Sequence, residues 1–269
     1  AKPSGLRMDP SEQENRGMLK LVSTALVALA IALAIAAPTP ATAQPLSPEQ
    51  KQEVGRLIHD YLQQHPEAVV DALKAAQQEA EAARAAQVQR AITAKRSELL
   101  HDPNSAVGGN PNGDLTLVEF FDYRCPYCKA IEPSLEALIK ENHNLRVVYK
   151  EFPILGPVSV FASHVAIAAR AQGKYVAFHD RMMALRGTID DAAVMTVAKE
   201  SGLDLTELNN DMASTKVNAI VQRNYALADA LGIDATPALI IGNRLVMGAV
   251  DIDGLRQLIA EARKAKKGS

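Results

Sequence analysis

Residues 118–129 read VEFFDYRCPYCK and contain both cysteines of the 269-residue chain, Cys125 and Cys128. The apolar run before the cysteines predicts a buried strand. The apolar residues after them recur at helical spacing, at Ile131, Leu135, Leu138 and Ile139. The cysteines therefore lie where a strand is followed by a helix, with Cys125 at the helix N-terminus and Pro126 in the first turn.

The start of a helix favours the thiolate form of Cys125. Free N–H groups and the positive end of the helix dipole stabilise negative charge there, and the thiolate is the reactive form of cysteine. Cys128 lies one turn further on, close enough to form a disulfide with Cys125. The alternatives are a structural disulfide and half of a zinc site, but so short a loop stabilises little and tetrahedral zinc needs more ligands than this region offers. The pattern predicts a redox dithiol, with no metal ligand and no cofactor.

The segment around the cysteines resembles the active site of the DsbA-like branch of the thioredoxin-fold family. The resemblance covers residues 114–264 and depends on four separate features: the CPYC motif, Glu119, Pro133 and the Ala-Thr-Pro at residues 235–237. The inner pair, Pro126 and Tyr127, departs from DsbA proper, which has Pro-His, and is what glutaredoxins have. Both residues are expected to support the active site.

The chemistry of a dithiol and the resemblance together indicate roles for four residues. Cys125 is expected to be exposed and to act as the nucleophile, and Cys128 to be sheltered and to resolve the mixed disulfide. The resemblance implies that the Thr236–Pro237 bond is cis, lies beside the cysteines and lets the Thr236 backbone pair with an extended substrate. The alternative is a trans proline that opens a strand.

Glu119 is an acid in an otherwise apolar strand. Alternation places it on the same side as Leu117 and Phe121, and a buried carboxylate is costly without a partner. The resemblance implies that it moves a proton to or from Cys128. The alternative is an edge residue paired with Lys150.

The chain from residue 112 onward predicts an α/β fold. Strands at residues 115–123 and 145–151 flank the active-site helix and form a βαβ unit with two parallel strands. Residues 158–233 carry helical signals only, and Gly242-Asn243 predicts a β-hairpin before a last helix. We therefore predict a thioredoxin fold with halves at residues 112–157 and 234–266. The resemblance implies that residues 158–233 form an inserted helical domain.

The N-terminal region shows the pattern of an exported protein. Residues 1–17 are polar and receive no structural role. Residues 18–43 combine a positive start, an apolar run and a small-residue exit, which predicts a signal peptide cleaved after Ala43 and export to the periplasm. A retained membrane anchor is the alternative that we favour less.

Residues 44–103 predict an N-terminal helical arm. Its first part has apolar helix faces, whereas the part beyond residue 75 is rich in Ala, Gln, Glu and Arg. Such a helix buries little by itself, so it is either a solvated spacer or a stalk that associates with copies of itself. Residues 47–97 are the predicted site of homo-oligomerisation.

These features predict an exported thiol:disulfide oxidoreductase, either an oxidase or an isomerase. Relatives associated with copper tolerance resemble this arrangement of a helical arm before a catalytic domain. The expected partners are unfolded or misoxidised exported proteins and a membrane redox protein that resets the dithiol. A net charge of −2 gives no indication of a nucleic-acid partner. The alternative function is a copper-binding or holdase-like module that uses the CPYC thiolates, because two thiolates suit Cu(I).

Overall fold

The computed structural model describes residues 45–267 of the chain. The predicted upstream segment, the signal peptide and its cleavage site after Ala43 lie outside the described residues. Within residues 45–267, no helix is both long enough and apolar enough to cross a membrane.

The chain divides into two compact units after residue 72. The first contains α1 (Pro48–Gln64) and the beginning of α2 (Pro66–Ala94). Ser47 caps α1 in a reciprocal arrangement with Gln50: its hydroxyl accepts from the Gln50 N–H at 3.2 Å, and its own N–H donates to the Gln50 side chain at 2.9 Å. The predicted helices are present. Their apolar residues are exposed, as at Leu57 and Tyr61.

The second unit contains a five-stranded sheet in the order β1-β3-β2-β4-β5. The strands are β1 (Ala106–Gly109), β2 (Leu115–Phe121), β3 (Leu145–Glu151), β4 (Ala238–Ile241) and β5 (Arg244–Met247). Strands β2 and β3 are parallel, as the βαβ pattern predicted, and the other neighbouring pairs are antiparallel. The predicted hairpin forms β4 and β5.

Helices cover both faces of the sheet. They are α3 (Arg96–Leu100), α4 (Pro126–Glu141), α5 (Pro157–Ala169), α6 (Tyr175–Ala184), α7 (Asp191–Glu200), α8 (Leu205–Met212), α9 (Thr215–Ala230) and α10 (Ile252–Lys267). Helix α4 follows β2 directly, and α5 to α9 lie between the two parts of the sheet in the chain. This is the predicted thioredoxin fold with a helical insertion, preceded by N-terminal helices.

Each face of the sheet has its own hydrophobic core, because alternate residues of β2 point to opposite sides. Leu117 and Phe121 belong to the larger core, which includes the buried faces of α4 and α10 and of the inserted helices α5 to α8. Val118 and Phe120 belong to the second core, which includes Ile92 of α2 and helices α3 and α9. Residues of both cores on β2 are fully buried.

The end of the predicted arm is part of this second core. Ile92 and Leu99 are 2% and 1% exposed and pack with β2 residues. This packing was not predicted, because large apolar residues are rare over the alanine-rich stretch as a whole. Two well-placed side chains are sufficient to hold a helix end against a sheet.

Strand β1 was also not predicted. Gly108 and Gly109 were interpreted as turn residues, but they pair with β3 at the edge of the sheet. A Cβ at Gly108 would come within 2.9 Å of the Tyr149 ring, and Gly109 has a φ of 61°. Gly108 is therefore needed for the close approach of Tyr149, and Gly109 for its positive φ. In the sequence, two adjacent glycines of this kind look like a turn.

Candidate active site

The two cysteines lie at the junction of β2 and α4, as predicted. Cys125 is the N-cap residue of α4, Pro126 is the first residue of the helix, and Cys128 follows in its first turn. Both cysteines are present as free thiols. Cys128 is fully buried, as expected, but Cys125 is only 4% exposed. The expectation of an exposed Cys125 was wrong, because a distant segment, described next, packs against its sulfur.

Thr236 and Pro237 provide that segment. The Thr236–Pro237 peptide bond is cis, as the resemblance implied. In its thiol form, Cys125 donates a hydrogen bond of 3.3 Å from Sγ to the Thr236 carbonyl oxygen, although the two residues are 111 positions apart in the chain. Because Pro237 directly precedes β4, which pairs with β2, the sheet itself brings Thr236 to the dithiol.

The two cysteines differ strongly in acidity. The pKa of Cys125 is lowered to about 5, chiefly by a hydrogen bond from the Cys128 thiol, with further contributions from the Thr236 side chain and the N–H groups of Tyr127 and Cys128. The pKa of Cys128 is raised, chiefly because its thiol donates to Cys125, and also by burial and by the charge of Glu119. At neutral pH, Cys125 is the thiolate and Cys128 the thiol.

Asp122 organises the chain around the dithiol, and the sequence analysis missed it. Its buried carboxylate accepts hydrogen bonds from the N–H of Arg124 at 2.7 Å, the N–H of Leu155 at 2.9 Å and the hydroxyl of Ser159 at 2.8 Å. The loop after β3 and the start of α5 are thereby held next to the active-site turn. The sequence did contain a signal for Asp122, namely an acidic residue directly after an apolar strand.

Glu119 is fully buried on the side of Leu117 and Phe121, as predicted. Neither of its carboxylate oxygens has a hydrogen-bond partner among the described residues. Burial raises its pKa well above the usual value, and the charges of Glu132, Glu151 and Cys125 raise it further.

The alternative pairing of Glu119 with Lys150 is wrong. Glu119 is opposite Tyr149 in the register, so Lys150 points to the other face of the sheet. The Lys150 Nζ instead donates to the Glu98 carbonyl at 2.7 Å and lies 3.5 Å from the Asp102 carboxylate.

Two further ionisable residues lie close to Glu119. The ligand atoms of Glu119, Glu132 and His179 are all within 4.8 Å of one another. Two carboxylates and an imidazole could hold a divalent cation in principle, although the sequence analysis named no metal ligand. Glu132 was missed; its signal is a charge four residues after Cys128, on the buried face of α4. His179 was interpreted as an ordinary core or surface histidine, and it is fully buried.

Apolar side chains are exposed in and around the active-site turn. Tyr127, between the two cysteines, is 65% exposed, and Ile154 and Leu155 in the loop after β3 are 38% and 42% exposed. Arg124 donates a hydrogen bond of 2.7 Å to the Leu155 carbonyl, which holds this loop beside the turn.

Comparisons with known proteins agree with this architecture. Residues 116–260 match the family described as DSBA-like thioredoxin domain. The thiol:disulfide interchange protein DsbA of Bordetella parapertussis is 30% identical over 177 residues, which cover 60% of this chain and 83% of DsbA. The Na(+)/H(+) antiporter NhaA 1 of Salinispora arenicola is 27% identical over 158 residues, which cover 58% of this chain. The chain spans only 24% of the length of that antiporter.

Two solved structures are similar over different lengths of the chain. A thioredoxin-like oxidoreductase from Silicibacter pomeroyi has a TM-score of 0.61 and 44% identity, covering 63% of this chain and 98% of that protein. A linker-deletion variant of Proteus mirabilis ScsC has a TM-score of 0.64 and 28% identity, covering 83% of this chain and 100% of that protein. The second similarity therefore extends over more of the chain than the first.

Proposed function

Because the chain belongs to the family of DSBA-like thioredoxin domains, we propose that it is a thiol:disulfide oxidoreductase that acts on exported proteins through Cys125 and Cys128. One observation carries the proposal. Cys125 is the N-cap residue of α4 and has a pKa of about 5, while Cys128 is buried and has a raised pKa. An acidic nucleophilic thiol beside a protonated resolving thiol is the arrangement that thiol–disulfide exchange requires.

The exchange proceeds in two displacement steps. The Cys125 thiolate attacks a substrate disulfide, that S–S bond breaks, and the first substrate sulfur leaves with the electron pair. Cys128 then loses its proton and attacks the Cys125 sulfur, which releases the second substrate thiolate. Both substrate thiolates take protons from water, so the substrate is reduced by two electrons and the dithiol is oxidised. The reverse sequence oxidises a substrate dithiol.

Glu119 is proposed to exchange a proton with Cys128 during the second step. Its carboxyl group is buried and raises the pKa of the Cys128 thiol. A group of raised pKa close to the inner thiol suits general acid–base work near neutral pH.

The surface around the cysteines supports protein substrates. Tyr127, Ile154 and Leu155 expose apolar area that a folded protein normally buries. The backbone of Thr236 lies beside the Cys125 sulfur and is proposed to pair with an extended substrate segment, with Pro237 holding it in place. Unfolded or misoxidised exported chains offer both apolar side chains and free backbone groups.

The N-terminal helices support the proposed self-association through residues 47–97. Helix α1 and the beginning of α2 carry large apolar residues that are 40% to 60% exposed: Val54, Leu57, Ile58, Tyr61, Leu62, Val69, Val70 and Leu73. A second copy of this chain is the proposed partner, because the same apolar face is then buried on both copies. An assembly of this kind favours an isomerase, whereas a monomer favours an oxidase. A membrane redox protein is proposed to reset the dithiol in the periplasm.

Single cysteine variants test the proposed exchange reaction. Cys128→Ser should accumulate a mixed disulfide with an unfolded substrate whose single cysteine is activated as a disulfide with a small aromatic thiol: the Cys125 thiolate attacks the substrate sulfur, the aromatic thiolate leaves, and no resolving thiol is present. Cys125→Ser should form none and should lose insulin reduction. Equal trapping by both variants would contradict the assignment of roles. Stoichiometric Cu(I) binding by wild-type protein that neither reduces insulin nor refolds scrambled ribonuclease would instead favour the metal-binding alternative.

A further inference from the structure

Three buried side chains of the kinds that bind metal ions meet where the helical insertion packs on the rest of the fold. Glu119 comes from β2, Glu132 from α4 and His179 from α6 of the insertion. One carboxylate oxygen or ring nitrogen of each lies within 4.8 Å of those of the other two. All three residues are at most 5% exposed. Tertiary packing alone brings these three ligand types together.

The converging atoms share a second property, which is that they are unpaired. Both oxygens of Glu119, the Glu132 Oε2 and the His179 Nε2 have no hydrogen-bond partner among the described residues. Lys129 on α4 does not neutralise them by contact, because its Nζ donates to two carbonyl oxygens in the last turn of α6. Buried polar atoms without a partner are rare in folded proteins, and a bound ion is one of the reasons for them.

The hydrogen bonds on the other side of the imidazole indicate what the His179 Nε2 can bind. The Tyr123 hydroxyl donates to Glu151 at 3.3 Å, so its oxygen accepts from the Nδ1–H of His179, also at 3.3 Å. The Nε2 atom then carries a lone pair and faces the Glu132 Oε2 at 3.6 Å. Two acceptors therefore face each other, and positive charge between them would relieve their repulsion.

The distance between these two acceptors suits a metal ion better than a proton. A separation of 3.6 Å between the Glu132 Oε2 and the His179 Nε2 is too long for a hydrogen bond. A tetrahedral ion with bonds of about 2.0–2.1 Å holds its ligand atoms about 3.4 Å apart. The pair is therefore close to its liganding distance as it stands.

We propose that Glu119, Glu132 and His179 form a binding site for a divalent cation, with Zn²⁺ as the type of ion. Carboxylate oxygens and neutral imidazole are zinc ligands, and two carboxylates balance its charge. Tyr123 and Glu151 complete the arrangement, because a hydrogen bond to the second ring nitrogen fixes the tautomer and orientation of a metal-binding histidine. This site is separate from thiol–disulfide exchange and uses neither cysteine.

The cation ties the helical insertion to the sheet and to the active-site helix, because its three ligands come from β2, α4 and α6. Zinc and the Cys128 proton would compete for the oxygens of Glu119. When Cys125 and Cys128 form a disulfide, Cys128 has no proton to give. The disulfide form is therefore the one in which we expect the site to bind zinc most tightly.

The test loads this form with zinc and excludes the thiols. Tag-free protein with the Cys125–Cys128 disulfide intact is unfolded in urea and refolded with Zn²⁺, so that the ligands are accessible during loading and no thiolate can bind the metal. After gel filtration, wild type should retain one zinc per chain. Its Tm should be about 5 °C above that of protein refolded without metal. X-ray absorption at the zinc edge should show one imidazole, oxygen ligands and no sulfur.

Substitutions locate the bound ion. His179→Gln and Glu132→Gln should each lose the retained zinc and the rise in Tm, and Glu132→Gln decides the question if the first variant does not fold. Tyr123→Phe keeps all three ligands but removes the partner of His179, so zinc affinity should fall about tenfold. His164→Gln is the matched control: the Nε2 of this partly buried histidine on α5 is also unpaired among the described residues, and the variant should retain zinc.

Four results would overturn the proposal. They are refolded wild type without retained zinc, zinc retained by folded His179→Gln and Glu132→Gln proteins, an equal loss in His164→Gln, or a zinc-edge spectrum without imidazole. None of these measurements uses thiol exchange, so they remain decisive whether or not the proposed oxidoreductase function is correct.

Discussion

At the scale of single residues, the two cysteines have the same side chain but opposite shifts in pKa, because they occupy different positions at the start of one helix. Cys125 is the N-cap of α4, and its pKa is lowered chiefly by the Cys128 thiol, and also by the Thr236 side chain and the N–H groups of Tyr127 and Cys128. Cys128 is enclosed by the core and faces the Glu119 charge. The same local geometry therefore lowers one pKa and raises the other.

Thr236 offers a direct test of how the Cys125 thiolate is stabilised. Thr236→Val removes the hydroxyl that contributes to the lowered pKa of Cys125. That pKa should therefore rise from about 5 by roughly one to two units, given about 1.5–3 kcal/mol for a hydrogen bond to a charged group. The pH dependence of iodoacetamide alkylation, or of thiolate absorbance, measures it. Thr236→Ser keeps the hydroxyl and should stay near wild type. A Val variant that titrates like the Ser variant would show that the hydroxyl contributes nothing.

At the scale of elements, the pairing of β2 with β4 assembles the site. Glu119 is opposite Leu239 in this antiparallel pair, and Thr236 lies just before the strand. Asp122 then fixes the loop after β3 and the start of α5 by three hydrogen bonds. The cysteines, the Thr236–Pro237 segment and the start of the helical insertion are therefore all positioned around β2 and its C-terminal end.

The attachment of α2 to the sheet predicts a stability effect. Ile92→Ala should lower the free energy of unfolding by about 2–4 kcal/mol, because Ile92 is buried against the sheet and the substitution leaves a cavity. Urea denaturation followed by circular dichroism measures this. Gln78→Ala, at an exposed position of the same helix, should change it by less than about 0.5 kcal/mol. Equal effects at both positions would mean that the end of α2 is not held by this core.

At the scale of the whole molecule, the apolar side chains of the first unit predict an assembly. Leu57, Ile58 and Tyr61 are 60%, 55% and 57% exposed. Contiguous exposed apolar area of this kind marks interaction sites. Under the proposed function, an oligomer is expected to act as an isomerase and a monomer as an oxidase.

A triple substitution of Leu57, Ile58 and Tyr61 by Ser should convert the oligomer to a species of lower mass in light scattering. Insulin reduction should be unchanged, because the dithiol is untouched, whereas refolding of scrambled ribonuclease should fall. The matched control replaces the polar residues Gln52, Gln63 and Gln64 by Ser on the same helix and should keep the wild-type mass. Identical masses for wild type and both variants would exclude self-association through this face.

Local patterns in the sequence were sufficient for the βαβ unit, the helical character of residues 158–233, the hairpin and the position of the cysteines at a helix start, whereas the resemblance implied that residues 158–233 are an inserted domain. Each depends on periodicity or turn chemistry within a few residues. The same holds for the burial of Glu119, which follows from alternation along one strand. The cis bond at Thr236–Pro237 came from the resemblance, since no local pattern determines it.

Local patterns could not predict contacts between residues that are far apart in the sequence. Edge strand β1 looked like a turn because its glycines serve close packing, and Ile92 looked isolated in an alanine-rich helix. Cys125 was expected to be exposed, but Thr236, 111 residues away, lies against its sulfur. Glu119, Glu132 and His179 come from a strand and two helices, and which buried polar groups meet depends on how those elements pack. Periodicity shows which face of an element is buried, but not which other element it meets.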